Sequence, residues 1–232
     1  MFMDPWGLAE YQVGGLDLAP QFVHDAGFVY DPNAKITPND YATWLAWGFG
    51  PPTGHLLIGS DAARMYEHYR SGWGLPMKVD YTRAYNEDPV IKNAIDNEIS
   101  IMKDFATSTY ANDEETPFEI IGGLQGIRNG DSQNWQKTIG AHYVYGHGLI
   151  TVSTKTGMAT MVVTFYMEDM YNFNPGASDI VTKIEDAVNG RFAELGWAQE
   201  FITYGTLTQT IRWKIAQAQQ IVCKPYKDGS GV

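Results

Sequence analysis

The sequence predicts an α+β fold: a helical N-terminal half packed on a C-terminal antiparallel β-sheet or partly open barrel. Three observations predict it. Apolar residues recur at helical spacing before residue 115, every second residue is apolar in segments after 116, and Lys155-Thr156-Gly157 turns the chain between two such segments. Helices first and strands afterwards is the α+β pattern, not the alternation of a parallel sheet.

Each element has its own signal. Thr37-Pro38-Asn39-Asp40 places a hydroxyl at the N-cap, proline at the first helical position and a carboxylate three residues after the cap. Tyr41, Trp44 and Leu45 then form one apolar stripe. Ser60 caps a second helix through Arg70, with Met65, Tyr66 and Tyr69 inward and Gly72 as its stop. Asp88-Pro89 opens the clearest helix, where Ile91, Ile95, Ile99, Met102 and Phe105 face the core and Lys92, Asp96, Lys103 and Asp104 face water. Asn112-Asp113-Glu114-Glu115 is a solvated acidic loop. Beyond it, His147 to Ser153 pairs through the Lys155 turn with the strand Ala159, Met161, Val163, Phe165, Met167. Gly190 to Phe201 reads as a short helix with Phe192, Leu195 and Ala198 inward, and Thr206 to Trp213 as a last strand. The expected divisions are 1–8, a helical part 9–115, a β-rich part 116–215 and a tail 216–232.

Composition narrows the function classes. With 44% hydrophobic residues, 7 Trp, 14 Tyr and 10 Phe, the chain has a core to build and is not a disordered segment. Sixteen Lys and Arg against 27 Asp and Glu give a net charge of −11, and the cations are scattered, so a phosphate backbone is repelled and nucleic acid is not an expected partner. Cys223 alone permits no internal disulfide and no multi-cysteine zinc site. The start carries no basic n-region followed by a long apolar run. Met158 to Met167, broken by Thr160 and Thr164, is far short of the ~20 residues of a membrane-spanning helix.

Asp4-Pro5-Trp6-Gly7-Leu8 resembles the Asp-Pro-x-Gly-Leu signature that ends the repeat-associated core of Rhs (YD-repeat) polymorphic toxins. That resemblance implies a shell-forming Rhs core ahead of residue 9, aspartyl self-cleavage after Leu8, and a C-terminal segment that is the toxin. It further implies export as part of a longer protein by a type VI secretion machine, a cognate immunity protein, and action inside a target bacterium, in the periplasm or at the inner membrane. Asp4 then belongs to the cleavage signature and is dispensable for toxicity.

The densest polar constellation runs from Glu168 to Asp179. Carboxylates at a strand end suit a divalent cation, here through Glu168 and Asp169, or general acid–base work. The competing explanation is structural, because Asp and Asn commonly close strands and make turns. The stretch also resembles the active-site segment of the colicin-M family, Asp-x-Tyr-Asp followed by a His-Arg pair. Asp169 and Tyr171 match its first and third positions, Asn172 replaces the second aspartate, and Ser178-Asp179 stand where the pair would be. This resemblance implies Mg²⁺-dependent cleavage of the lipid-linked peptidoglycan precursor lipid II, with His142, His147 and Arg128 as candidates to replace the missing groups. The candidate catalytic residues are therefore Asp169, Tyr171, Asn172, His142, His147 and Asp179. His142 and His147 are an odd number of residues apart, so on one strand they point to opposite faces unless Gly146 bulges. The chain has no Gly-x-Ser-x-Gly elbow, no His-Glu-x-x-His and no phosphate loop.

The expected function is thus an antibacterial toxin domain that hydrolyses an envelope lipid or glycan. Two other classes remain open. One is a membrane-disrupting toxin using the Asp88 to Ala106 helix; the other is a non-toxic structural domain of the Rhs particle.

Overall fold

The computed structural model describes residues 2–3, 10–48, 59–113, 117–176 and 186–215. They form an α+β fold. Eight strands are β1 Phe2–Met3, β2 Glu10–Val13, β3 Met77–Lys78, β4 Phe118–Ile121, β5 Gln125–Ile127, β6 His142–Ser153, β7 Met158–Tyr171 and β8 Phe201–Lys214. Six α-helices are α1 Pro38–Gly48, α2 Ser60–Ser71, α3 Tyr81–Glu87, α4 Pro89–Asp113, α5 Gln133–Thr138 and α6 Asp186–Glu194, and Leu16–Leu18 form one 3-10 turn.

The sheet order is β1-β2-β4-β6-β7-β8-β3, with β5 also on β6. Among the described residues it does not close into a barrel. It is mixed, because β3 runs parallel to β8 while every other pair is antiparallel. Its centre is the long β6–β7–β8 meander. The alternation read from Ala159 to Met167 is present, and Gly157 takes a left-handed φ of 65° in the turn before it. The pairing continues to Tyr171↔Phe201, so β7 extends past Met167 and takes in Glu168 and Asp169.

One face of the sheet carries the helices. Ile91, Ile95, Ile99, Met102 and Phe105 of α4 are all buried, as their spacing requires, and pack with Val144, Met161, Val163, Phe165 and Met167 in one core. At ~1.5–3 kcal/mol per fully buried side chain, this stripe is a principal source of stability. Close approach is possible because β6 carries glycine at its centre. A Cβ on Gly146 would lie 2.9 Å from Met102 Sδ and 2.9 Å from Phe165 Cε1. The other face is more open, with Thr160, Thr164 and Tyr166 of β7 beside the exposed Leu149 and Val162.

The helix starts use long-range chemistry as well as local caps. Thr37 and Asp40 form the expected reciprocal box: Asp40 N donates to Thr37 Oγ1 at 3.2 Å and Thr37 N donates to Asp40 Oδ2 at 2.7 Å. Asp88 Oδ1 accepts from Val90 N at 2.9 Å and Ile91 N at 3.2 Å, and its Oδ2 accepts from Ser132 N at 2.8 Å. Ser60 is not a cap. It is the first residue of α2, Gly59 holds the cap position, and Asn134 Oδ1 of α5 accepts from Asp61 N at 3.1 Å and Ala62 N at 3.2 Å. Gly72 ends α2 with a left-handed φ of 69°, as expected.

Two further corrections concern local packing. Tyr41 and Leu45 are exposed, so the inward side of α1 is Trp44 and Trp47, which pack edge-on against Phe192. The helix read at Gly190 to Phe201 instead spans Asp186–Glu194, and Phe201 opens β8. Phe192, Leu195 and Ala198 are nonetheless buried, because the chain after α6 still packs inward.

Candidate functional site

Residues at the paired ends of β7 and β8 meet an irregular N-terminal segment around His24 to Phe28. Strand alternation decides where each side chain goes. Asp169 and Tyr171 lie on the helix-covered face with Met167, and Glu168 lies on the open face with Tyr166. Both carboxylates are inside the strand, so they do not project together from its end. The pairing of Glu168 with Asp169 as joint ligands of one ion through their side chains is therefore corrected: consecutive strand residues point to opposite sides of a sheet. Among the described residues no group of three or more His, Cys, Asp or Glu is placed to hold a metal ion.

Asp169 is half-buried in the row that continues to Thr203 on β8. Burial pushes its carboxyl up to about 8, the Met170 amide pulls it back in part, and the negative charge of Asp25 raises it further. At neutral pH most molecules therefore hold Asp169 as a proton-bearing acid. Asp25 is fixed by two amides: Asn172 Nδ2 donates to its Oδ1 at 3.1 Å and Asn174 Nδ2 to its Oδ2 at 2.7 Å. Glu200, immediately before β8, accepts from Phe28 N at 2.9 Å. Its carboxyl is also raised by burial and by Asp25, against hydrogen bonds from the Phe28 and Phe173 amides. Asp25 thus links two perturbed acids. On the open face, His24 Nε2 donates to Glu168 Oε1 at 3.0 Å.

The structure separates the remaining candidates. Tyr171 shares the face of Asp169 and stacks on Phe201 at 5.0 Å, where burial raises its hydroxyl well above the usual phenol range. Asn172 meets Asp25 and so joins the site indirectly. His142 is 2% exposed, with both ring nitrogens engaged: Tyr81 Oη donates to Nε2 at 2.9 Å and Nδ1 donates to Gly140 O at 3.1 Å. Burial lowers it to about 4, so it is a neutral, fully partnered core histidine. His147 lies on the opposite face, as an unbulged ladder through Gly146 requires, and donates to Glu119 Oε2 at 3.2 Å. Among the described residues no hydrogen bond joins either histidine to Asp169. Arg128 is exposed between β5 and α5. Asp179, the Asp4 to Leu8 junction and Cys223 lie outside the described residues.

Sequence reasoning passed over Asp25 and Glu200. His24 and Glu168 are 144 residues apart in the chain, and no local spacing announces a contact of that range. Glu200 had one available signal. It directly precedes the strand, but a helix drawn through Phe201 hides that position.

The fold is an α+β domain with a non-closed sheet among the described residues, and a cluster of carboxyl, amide and imidazole groups lies at the end of its central strands. No family model matches the chain, and neither a curated protein nor a solved structure matches it at a significant level.

Proposed function

We propose that this chain is the toxin domain of an Rhs-type protein and acts as an acid–base hydrolase on an envelope lipid or glycan, with Asp169 as its acid. The supporting observation is the half-buried Asp169 carboxyl, lifted to about 8 beside the amide-held Asp25. Carboxyl groups whose surroundings differ in this way take different parts in one reaction. Asp169 gives its proton to the leaving oxygen, and Asp25 is the carboxylate that orients or activates water. Tyr171 and Phe201 supply an aromatic wall beside the acid.

Membrane disruption is the weaker reading. The apolar stripe of α4 is already buried against the sheet, and no described helix is long and apolar enough to cross a membrane. A compartment experiment tests the choice. The full chain is expressed in a bacterial host with and without a periplasmic signal, beside its Asp169→Asn variant, and growth and dye uptake are followed. An envelope hydrolase kills only when exported, needs Asp169 and admits dye no earlier than lysis. Killing without export, or early dye uptake by the Asp169→Asn protein, contradicts the proposal.

A further inference from the structure

One line across the open face goes beyond the acid–base cluster. The strand registers make Gly126, Tyr143, Glu168, Tyr204 and Lys78 successive direct partners on β5, β6, β7, β8 and β3. Direct partners share a face, so these five side-chain positions form a single row. Tyr143 and Tyr204 flank Glu168 and are each 41% exposed. Beside the row, Phe22 packs on Tyr145 at 5.5 Å and Tyr145 stacks on Tyr166 at 5.1 Å, which builds an aromatic wall. The segment carrying Phe22 also brings His24 onto Glu168 Oε1. On the other side Met170 and Ile202, again direct partners on the same face, continue the floor as an apolar step.

We propose that the Tyr143–Glu168–Tyr204 row binds a β-linked hexose oligosaccharide, each tyrosine ring carrying one sugar ring and Glu168 accepting from hydroxyl groups between them. The chemistry of the row selects this ligand. A pyranose offers an apolar C–H face, which an aromatic ring covers, and a rim of hydroxyls, which a carboxylate or amine binds. The two tyrosine positions stand two strand spacings apart, about 9.6 Å, a span suited to alternate rings of an extended β-linked chain, with the ring between them over Glu168. A quaternary ammonium ion would need aromatic faces converging within ~6 Å of one point, and the intervening strand holds these two apart. One Glu168 oxygen is engaged by His24, and among the described residues the second has no hydrogen-bond partner and is placed to accept from the ligand. Lys78 ends the row with a donor for ring or acyl oxygens.

This site does not depend on Asp169, whose side chain lies on the opposite face of β7, so binding is measured without turnover. Isothermal titration of the full chain uses cellotetraose and, separately, chitotetraose. At least one should bind, and Tyr143→Ala and Tyr204→Ala should each weaken it ~10-fold, while Tyr143→Phe retains it. Both tyrosines are exposed, so the alanine variants should melt with the parent. The Asp169→Asn protein should bind as the parent does, even where it no longer kills. Failure of both sugars to bind at ~10 mM, or binding undiminished in both alanine variants, would overturn the proposal. So would saturable binding of tetramethylammonium chloride that depends on Glu168.

Discussion

Replacing Asp169 by asparagine removes an acid that the fold holds neutral, and the consequence for stability is strongly pH-dependent. The carboxyl ionises near pH 8 in the native chain against a usual value of 3.8. The native state therefore binds more protons than the unfolded state across that window, and its stability falls as pH rises through it. At about 1.4 kcal/mol per pH unit, the difference between pH 5 and pH 8 is nominally about 4 kcal/mol. Water reaching the half-buried group screens this to about 2 kcal/mol. Asparagine keeps the shape and never ionises. The variant should gain about 2 kcal/mol on the parent between pH 5 and pH 9, read by urea denaturation of both proteins at each pH. A stability difference that stays constant across this range would refute the description of Asp169 as a neutral buried acid.

Other expected outcomes follow from the same contacts. His142→Ala leaves the Tyr81 hydroxyl buried without its acceptor and should cost ~3 kcal/mol in denaturation. Its native imidazole protonates near 4 instead of 6.5, so the parent should lose stability as pH falls between those values and His142→Ala should lose less. Asn134→Ala uncaps α2 from a distance and should cost about 1–2 kcal/mol, with Tm as the readout. If the Asp4 to Leu8 junction is cut as its resemblance implies, N-terminal sequencing of the fragment released from a longer parent should begin at Ala9, and any other start contradicts that junction.

How far the fold was legible depended on the range of the interactions involved. The stripe of α4 and the alternation of β7 are local periodicities, and both are where their residues put them. The Thr37–Asp40 box is likewise complete within four residues. The α2 cap is not legible locally because its acceptor oxygen comes from Asn134, whose proximity to Asp61 only the folded chain creates. The reading of Glu168 and Asp169 as one cation pair failed for a related reason. The sequence marks two adjacent acids, but the pairing of Asp169 with Thr203 prolongs β7 beneath them and turns them apart. Asp25 and Glu200 reach the site from separate segments, held by Asn172, Asn174 and the Phe28 amide, so no motif could gather them.

In the proposed hydrolase Asp169 performs chemistry as well as holding structure. The most direct test of that role pairs growth inhibition by exported Asp169→Ala with the melting temperature of the same purified protein. Killing should fall by ~10²-fold or more in dose, with the fold retained. A folded Asp169→Ala protein that kills as efficiently as its parent would contradict it, leaving Asp169 as a strand residue and directing attention to the Tyr143–Glu168–Tyr204 face.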